Sequence, residues 1–250
     1  MKSSMRLIRV WLPVAAAFVL FASSATAYTV TLNGFGTSFL STQASDGSGE
    51  IDLDNLTPAA LPYSDSSISI DGANSAESFY IFDNTGFDIT LDHSRSAGPF
   101  KVAESVGGII FSVDENVNYV ASGSYTVVDS VVGRRVLFNA SIFDFTDSSE
   151  LFKSDQLSVT TSNESFTLGE SGGDISNVDT GSLTGTLLAG HDYIFSYQAF
   201  ILSGATTSSA TATGSFNLSF SQVIPEPSAA LLFGSGFAVV GLASRRRSAS

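Results

Sequence analysis

The chain has 250 residues, a length that allows one domain or two small ones, and it contains no cysteine. Disulfides, thiolate metal sites and a cysteine nucleophile are therefore excluded, and the hydrophobic core alone must stabilise the fold. Without residues 1–27 and 224–250, which together hold six basic residues and one acidic residue, the chain carries five basic and 23 acidic residues. This net charge of −18 disfavours nucleic acids and anionic lipid headgroups as partners.

Residues 1–27 are predicted to be a secretory signal peptide. Three basic residues precede the apolar run Val10–Phe21, and Ala25 and Ala27 place small side chains at positions −3 and −1 of a cut before Tyr28. The apolar run is shorter than the ~20 residues that a membrane span needs, which favours cleavage by signal peptidase over a permanent anchor. The rest of the chain is therefore expected to be exported.

An acidic segment with two glycines follows at residues 46–55. Asp46, Glu50, Asp52 and Asp54 can supply several of the six to eight oxygen ligands that calcium takes. The spacing lacks the glycine at position 6 and the glutamate at position 12 of an EF-hand loop. In a chain this acidic, a solvated surface loop is the default interpretation and a calcium site is the alternative. No other cofactor is predicted.

Strand patterns dominate residues 28–223. Apolar and polar side chains alternate most clearly in His191–Leu202 and Ser215–Ser221, which is the period of half-buried strands. Glycine, asparagine, aspartate and serine clusters separate these segments, as turns require. No long segment outside the two ends has helical periodicity, and no internal repeat is seen. The pattern predicts an all-β fold, a single β-sandwich of jelly-roll type.

Further strands are predicted throughout this domain. They are Tyr28–Leu32, Ser67–Ile70, Ser78–Phe82, Phe87–Leu91, Gly108–Val113, Val117–Ala121, Ser124–Val128, Arg134–Phe145, Leu157–Thr161, Ser165–Leu168 and Ser182–Leu187. In the two clearest strands, Phe195 and Phe216 are expected to lie in one core and Ser219 on the opposite face.

Candidate chemistry within the sandwich is sparse. His93 and His191 each lie beside an aspartate, and both are assigned to polar strand ends. Because no Gly-x-Ser-x-Gly motif occurs, a Ser-His-Asp hydrolase is disfavoured and no enzymatic activity is predicted. For glycan binding, which uses exposed aromatic rings and a few polar groups, the candidate aromatic residues are Tyr63, Tyr80, Tyr119 and Tyr125, with packing in edge strands as the alternative. The run Thr206–Thr213 is interpreted as a polar hairpin loop rather than an ice-binding array.

The C-terminal residues 224–250 contain three parts in a fixed order. Ile224–Pro227 is a rigid, extended Ile-Pro-Glu-Pro segment, because each proline fixes its own φ and restricts the residue before it. Ser228–Ala243 is apolar and rich in small residues, which predicts a short, marginal transmembrane helix. Arg245, Arg246 and Arg247 then keep the end of the chain in the cytoplasm by the positive-inside rule.

This tail resembles the PEP-CTERM sorting domain that exosortases recognise. Pro225, Glu226 and Pro227, the apolar segment and the arginine cluster match its three elements, and Ile224 stands where the family often has valine. The resemblance covers about the last 27 residues. It implies a Gram-negative host, a transient inner-membrane intermediate, cleavage near the motif by an exosortase, and release to the cell surface or biofilm matrix. Many members of the family accompany exopolysaccharide gene clusters.

Three functions follow from these observations. The first is a non-enzymatic envelope or biofilm-matrix protein that is associated with exopolysaccharide. The second is a carbohydrate-binding module, and the third and least favoured is a secreted hydrolase. The predicted partners are signal peptidase, an exosortase and exopolysaccharide, with no nucleic acid.

Overall fold

The computed structural model describes residues 27–48, 51–129, 134–159, 163–170, 176–203 and 209–223, which contain fifteen β-strands and no helix. The all-β prediction is confirmed. The strands are β1 (Val30–Leu32), β2 (Phe39–Ser45), β3 (Asp52–Leu56), β4 (Tyr63–Asp71), β5 (Asn74–Asp83), β6 (Gly86–Arg95), β7 (Val102–Val113), β8 (Val117–Asp129), β9 (Arg134–Asp144), β10 (Ser149–Ser158), β11 (Glu164–Thr167), β12 (Ser176–Gly181), β13 (Thr184–Leu187), β14 (Asp192–Ser203) and β15 (Ala210–Gln222).

These strands form two antiparallel sheets. Sheet A has the order β12-β10-β9-β14-β7-β2-β3, and β1 pairs with β7. Sheet B has the order β11-β8-β15-β6-β5-β4, and β13 pairs with β8. Every pairing between these strands is antiparallel, and Tyr28–Val223 form one compact unit. The jelly-roll assignment goes beyond this two-sheet arrangement and stays a prediction.

The core lies between the two sheets and is rich in aromatic rings. Phe138 of sheet A stacks on Phe216 of sheet B, with ring centroids 4.6 Å apart, and Phe111 of sheet A meets Phe87 of sheet B edge to face at 5.1 Å. Phe195 and Phe216 are both fully buried, as the alternation predicts. Since no disulfide contributes, this packing supplies most of the favourable free energy of folding.

Several strands differ from the sequence prediction. The strands β2, β3 and β12 were not predicted, and β8 runs without a break through Gly123, where two strands were expected. The prediction of a hairpin loop over Thr206–Thr213 is wrong for its last four residues. Ala210–Thr213 belongs to β15 and pairs with both β6 and β8. β3 and β12 carry no apolar alternation because both faces of each are largely exposed. β2 carries none because it buries small polar side chains such as Thr42, whose Oγ1 lies 2.7 Å from Oγ of Ser67.

Within the described ranges there is no helix with the length and apolar character needed to cross a membrane. The predicted C-terminal helix, the sorting motif and nearly all of the predicted signal peptide lie outside those ranges.

Candidate functional site

The predicted sorting and processing residues fall almost entirely outside the described part of the chain. Pro225, Glu226, Pro227 and the arginines Arg245, Arg246 and Arg247 lie outside the described residues, as does Ala25. Ala27 is described and exposed, immediately before the sandwich. The sorting signal and the cleavage site therefore stay predictions.

The acidic residues proposed for calcium do not form one loop. Asp52 and Asp54 lie in β3, where their Oδ2 atoms accept hydrogen bonds from the amides of Ile70 (2.6 Å) and Ile68 (2.9 Å) in β4. The Oδ1 atom of Asp46 accepts a hydrogen bond from the amide of Ser48 at 2.7 Å. Glu50 lies outside the described residues. The three described carboxylates thus satisfy backbone amides, and calcium binding stays a prediction.

The sequence suggested that His93 lies at a polar strand end. The structure places it inside β6, where it is fully buried. Its Nδ1 lies 2.6 Å from the hydroxyl of Tyr125, and its Nε2 lies 2.8 Å from Oγ of Ser105, which in turn contacts Oγ of Ser78 at 2.6 Å. Burial lowers the pKa of His93 to about 3, so the ring is neutral at pH 7. A neutral imidazole has one donor and one acceptor nitrogen, and these contacts satisfy both. This network is a hydrogen-bonded part of the core.

His191 forms a polar cluster with two aspartates at one end of sheet A. Its Nδ1 lies 2.8 Å from Oδ2 of Asp144 and 3.9 Å from Oδ2 of Asp147. Oδ1 of Asp144 accepts hydrogen bonds from the amides of Thr146 and Asp147, which fixes the turn after β9. The hydrogen bond to Asp144 is the main cause that raises the pKa of His191, and the neighbouring carboxylates add to it.

The same cluster is the only group of three or more metal-ligating side chains within the described residues. One ligand atom from each of Asp144, Asp147 and His191 lies within 4.8 Å of the others. A mixed nitrogen and oxygen donor set suits a divalent transition metal. An ion pair between His191 and Asp144 accounts for the same geometry without an ion, and it links the turn after β9 to the start of β14.

Exposed aromatic rings lie directly beside this cluster. Phe35 and Phe145 are 61% and 36% exposed, and their ring centroids are 5.0 Å apart. Phe143, on the outward face of β9, meets Phe145 at 5.4 Å. We call Phe35, Phe143 and Phe145 the aromatic patch. It continues across the outer face of sheet A, because Phe143 is opposite Ile194, which is opposite Ile110.

The two loops that present the patch are anchored to the sandwich. Asn33 has a φ of 61°, which asparagine tolerates, and its backbone amide donates a hydrogen bond of 2.9 Å to the carbonyl of Ile110. Oδ1 of Asn33 accepts the amide of Ser38 at 2.7 Å, closing the loop that carries Phe35. The amide of Phe145 donates to the carbonyl of Asp192 at 2.9 Å. The rings are therefore held on ordered backbone, as a binding surface requires.

The tyrosines considered for glycan binding pack in the core instead. Tyr80, Tyr119 and Tyr125 are buried, and Tyr63 is half-buried against the core. This outcome is the packing alternative, because each lies on the inward face of its strand. The exposed rings of Phe35 and Phe145 lie in the loop after β1 and the turn after β9. The sequence signal was an aromatic residue within a glycine-rich or aspartate-rich turn.

Comparisons with known proteins add little to this geometry. No protein-family model matches the sequence, and no curated protein matches it. Among solved structures, the chain is similar to a family 11 carbohydrate-binding module of a cellulosomal cellulase from Clostridium thermocellum, with 10% identity, 81% of this chain and 100% of that chain covered, and a TM-score of 0.23. T=1 particles derived from infectious bursal virus match with 12% identity, 88% and 70% coverage and a TM-score of 0.19. At these TM-scores neither similarity bears on function.

Proposed function

We propose that this chain is a non-enzymatic protein of the cell envelope or biofilm matrix, which is exported and then sorted by an exosortase. The observation that carries the proposal is the order of the last 27 residues: the Pro225-Glu226-Pro227 motif, a marginal apolar segment and three arginines. The last strand ends at Gln222, so only Val223 and Ile224 separate it from the motif in the sequence.

The topology implied by the two ends is consistent. A signal peptide directs residues 28–223 across the inner membrane, and the arginines hold the end of the chain on the cytoplasmic side. Cleavage near Glu226 would release an acidic β-sandwich to the surface or the matrix, where exopolysaccharide is the proposed partner. The proposed host is Gram-negative, since the resembled sorting system belongs to such bacteria.

The absence of enzymatic activity is part of the proposal, and the contacts of the two histidines support it for one class of hydrolase. A hydrolase of the Ser-His-Asp type needs a histidine that contacts both a serine and a carboxylate. Within the described residues, His93 contacts a serine and a tyrosine in the core, and His191 contacts aspartates at the surface. Neither histidine therefore makes both of the contacts that such a hydrolase requires among the described residues.

Carbohydrate binding is the second candidate, and the aromatic patch favours it. Exposed phenylalanine rings on anchored loops beside carboxylates and an imidazole combine an apolar surface with hydrogen-bonding groups, as sugar-binding surfaces do. This candidate is compatible with the first, because a matrix protein retained by exopolysaccharide needs a surface that contacts glycans.

Fractionation of the native host tests the sorting proposal. The variant with Pro225→Ala, Glu226→Ala and Pro227→Ala is expected to accumulate in the inner-membrane fraction, while the unaltered chain reaches the surface or the medium. Pro99→Ala, in an exposed turn of the sandwich, is the matched control and should be released normally. Release of the triple variant at the normal level would refute the proposal.

A further inference from the structure

We infer that the aromatic patch is a binding site for a neutral polysaccharide, with Phe35 and Phe145 as the platform on which a sugar ring packs. This inference rests on the proposed function, since it specifies the surface through which the exported protein contacts its matrix. It concerns side chains of the sandwich and none of the sorting motif, so the two proposals can fail separately.

The platform has the exposure and geometry that a sugar ring requires. Phe35 and Phe145 come from different loops, their rings are tilted by 38°, and both remain accessible, at 61% and 36% exposure. The face of an aromatic ring carries partial negative charge, which attracts the C–H groups on the apolar face of a sugar. Two large apolar side chains held at the surface on anchored loops otherwise have an unfavourable contact with water.

Polar groups border the platform on the side of β14. Asp192 lies on the outward face of β14, and its Oδ1 is 3.8 Å from the position that a Cβ on Gly34 would take, so it lies directly under the loop that carries Phe35. Asp147 and His191 lie in the adjoining cluster, and the Asp147 side chain is 59% exposed. Carboxylates accept hydrogen bonds from sugar hydroxyls, and the imidazole adds a donor.

Charge selects the class of polysaccharide. Asp147 lies in the same turn as Phe145, and Asp192 lies under the loop that carries Phe35, while Asp144 is buried and bonded to His191. The uronate or sulfate groups of an anionic polysaccharide would be repelled by these carboxylates and by the strongly acidic chain as a whole. A neutral glycan meets no such repulsion, and its hydroxyl groups pair with the same oxygens.

Affinity gel electrophoresis of the full chain in detergent tests the site. The probes are dextran, pullulan, galactomannan and mixed-linkage β-glucan as neutral polysaccharides, with alginate as the anionic one. We expect retardation by at least one neutral polysaccharide and none by alginate. Phe35→Ala and Phe145→Ala should each weaken binding about tenfold or more, because truncating an aromatic anchor removes most of its contact.

A matched control distinguishes binding at this site from non-specific binding to any exposed aromatic ring. Phe79 is 51% exposed on the outer face of sheet B, so Phe79→Ala removes a comparable ring elsewhere and should leave binding unchanged. Phe35→Tyr keeps the ring and should retain binding, and thermal melts confirm that each variant is folded. No retardation by any neutral polysaccharide, an equal loss in Phe79→Ala, or retardation by alginate would overturn the inference. Concentration-dependent dimerisation that is lost in Phe35→Ala would also overturn the inference, because it would show that the patch binds a second copy of the chain. Each of these results leaves the fractionation test of sorting unaffected.

Discussion

Single side chains in this sandwich have clearly separated tasks. Phe216 stacks against Phe138 of the opposite sheet and meets Tyr197 at 5.2 Å, while Ser219, three residues later in β15, lies on the outward face. The alternation in the sequence was sufficient to predict this difference, because one face of a half-buried strand is apolar and the other polar. The hydrogen-bonded core position of His93 was not predictable, since its partners Tyr125 and Ser105 come from other strands.

Phe216→Ala is expected to lower the free energy of unfolding by about 3–5 kcal/mol, through lost apolar burial and the cavity left between the sheets. Thermal and denaturant unfolding of the variant measure this change. Ser219→Ala is the control on the same strand and should change stability by no more than ~0.5 kcal/mol. Equal destabilisation by the two substitutions would contradict the register of β15.

The pH dependence of stability should carry the signature of His93. Its pKa falls from 6.5 in the unfolded chain to about 3 in the folded one, so the unfolded state binds the proton first as the solution is acidified. Stability therefore decreases as the pH falls from about 6.5 towards about 3. Thermal melts at a series of pH values should show a shallower decrease in stability for His93→Gln than for the unaltered protein over this range. An unchanged slope would contradict the burial of a neutral His93.

The contribution of His191 to the pH dependence of stability has the opposite sign. Its pKa is raised in the folded chain, so its contribution to stability is complete below pH 6.5 and is lost as the pH rises through the folded value. In thermal melts against pH, His191→Gln should therefore lower stability below pH 6.5 and should abolish the decrease on the alkaline side. An unchanged decrease on the alkaline side would contradict this role of His191.

At the scale of elements, a strand was predictable where apolar and polar side chains alternate along it. The strands β14 and β15 are each paired on both sides and half-buried, and their alternation identified them. β3 lies at the edge of sheet A with little burial, and its aspartates were interpreted as a surface loop. The aromatic patch was missed for a related reason, because Phe35 and Phe145 lie far apart in the sequence and meet only through the pairing of β1 with β7 and of β14 with β9.

The contact between β3 and β4 gives a test at this scale. Asp54→Ala removes the acceptor of the Ile68 amide, which should lower stability by about 1 kcal/mol and speed hydrogen exchange at that amide. Asp92→Ala, an exposed aspartate in β6, is the control. If calcium instead slowed exchange at Ile68 in the unaltered protein, Asp54 would belong to a calcium site and the purely structural interpretation would be wrong.

For the whole molecule, the central expectation is that the sandwich is independent of its sorting tail. Residues Tyr28–Val223 form one compact unit with the core between two sheets, and the last strand ends before the motif. The fragment 28–223 should therefore be soluble, give a circular dichroism spectrum of β-structure and unfold cooperatively. Aggregation of the fragment that is reversed by restoring residues 224–250 would show that the tail belongs to the folded domain.

Mass spectrometry of the intact protein recovered from the surface or medium of the native host tests the account most directly. Signal peptidase and exosortase processing predict a mature chain that begins at Tyr28 and ends close to Pro225-Glu226-Pro227, without the apolar segment and the arginines. A released chain that still ends at Ser250 would contradict the proposed sorting.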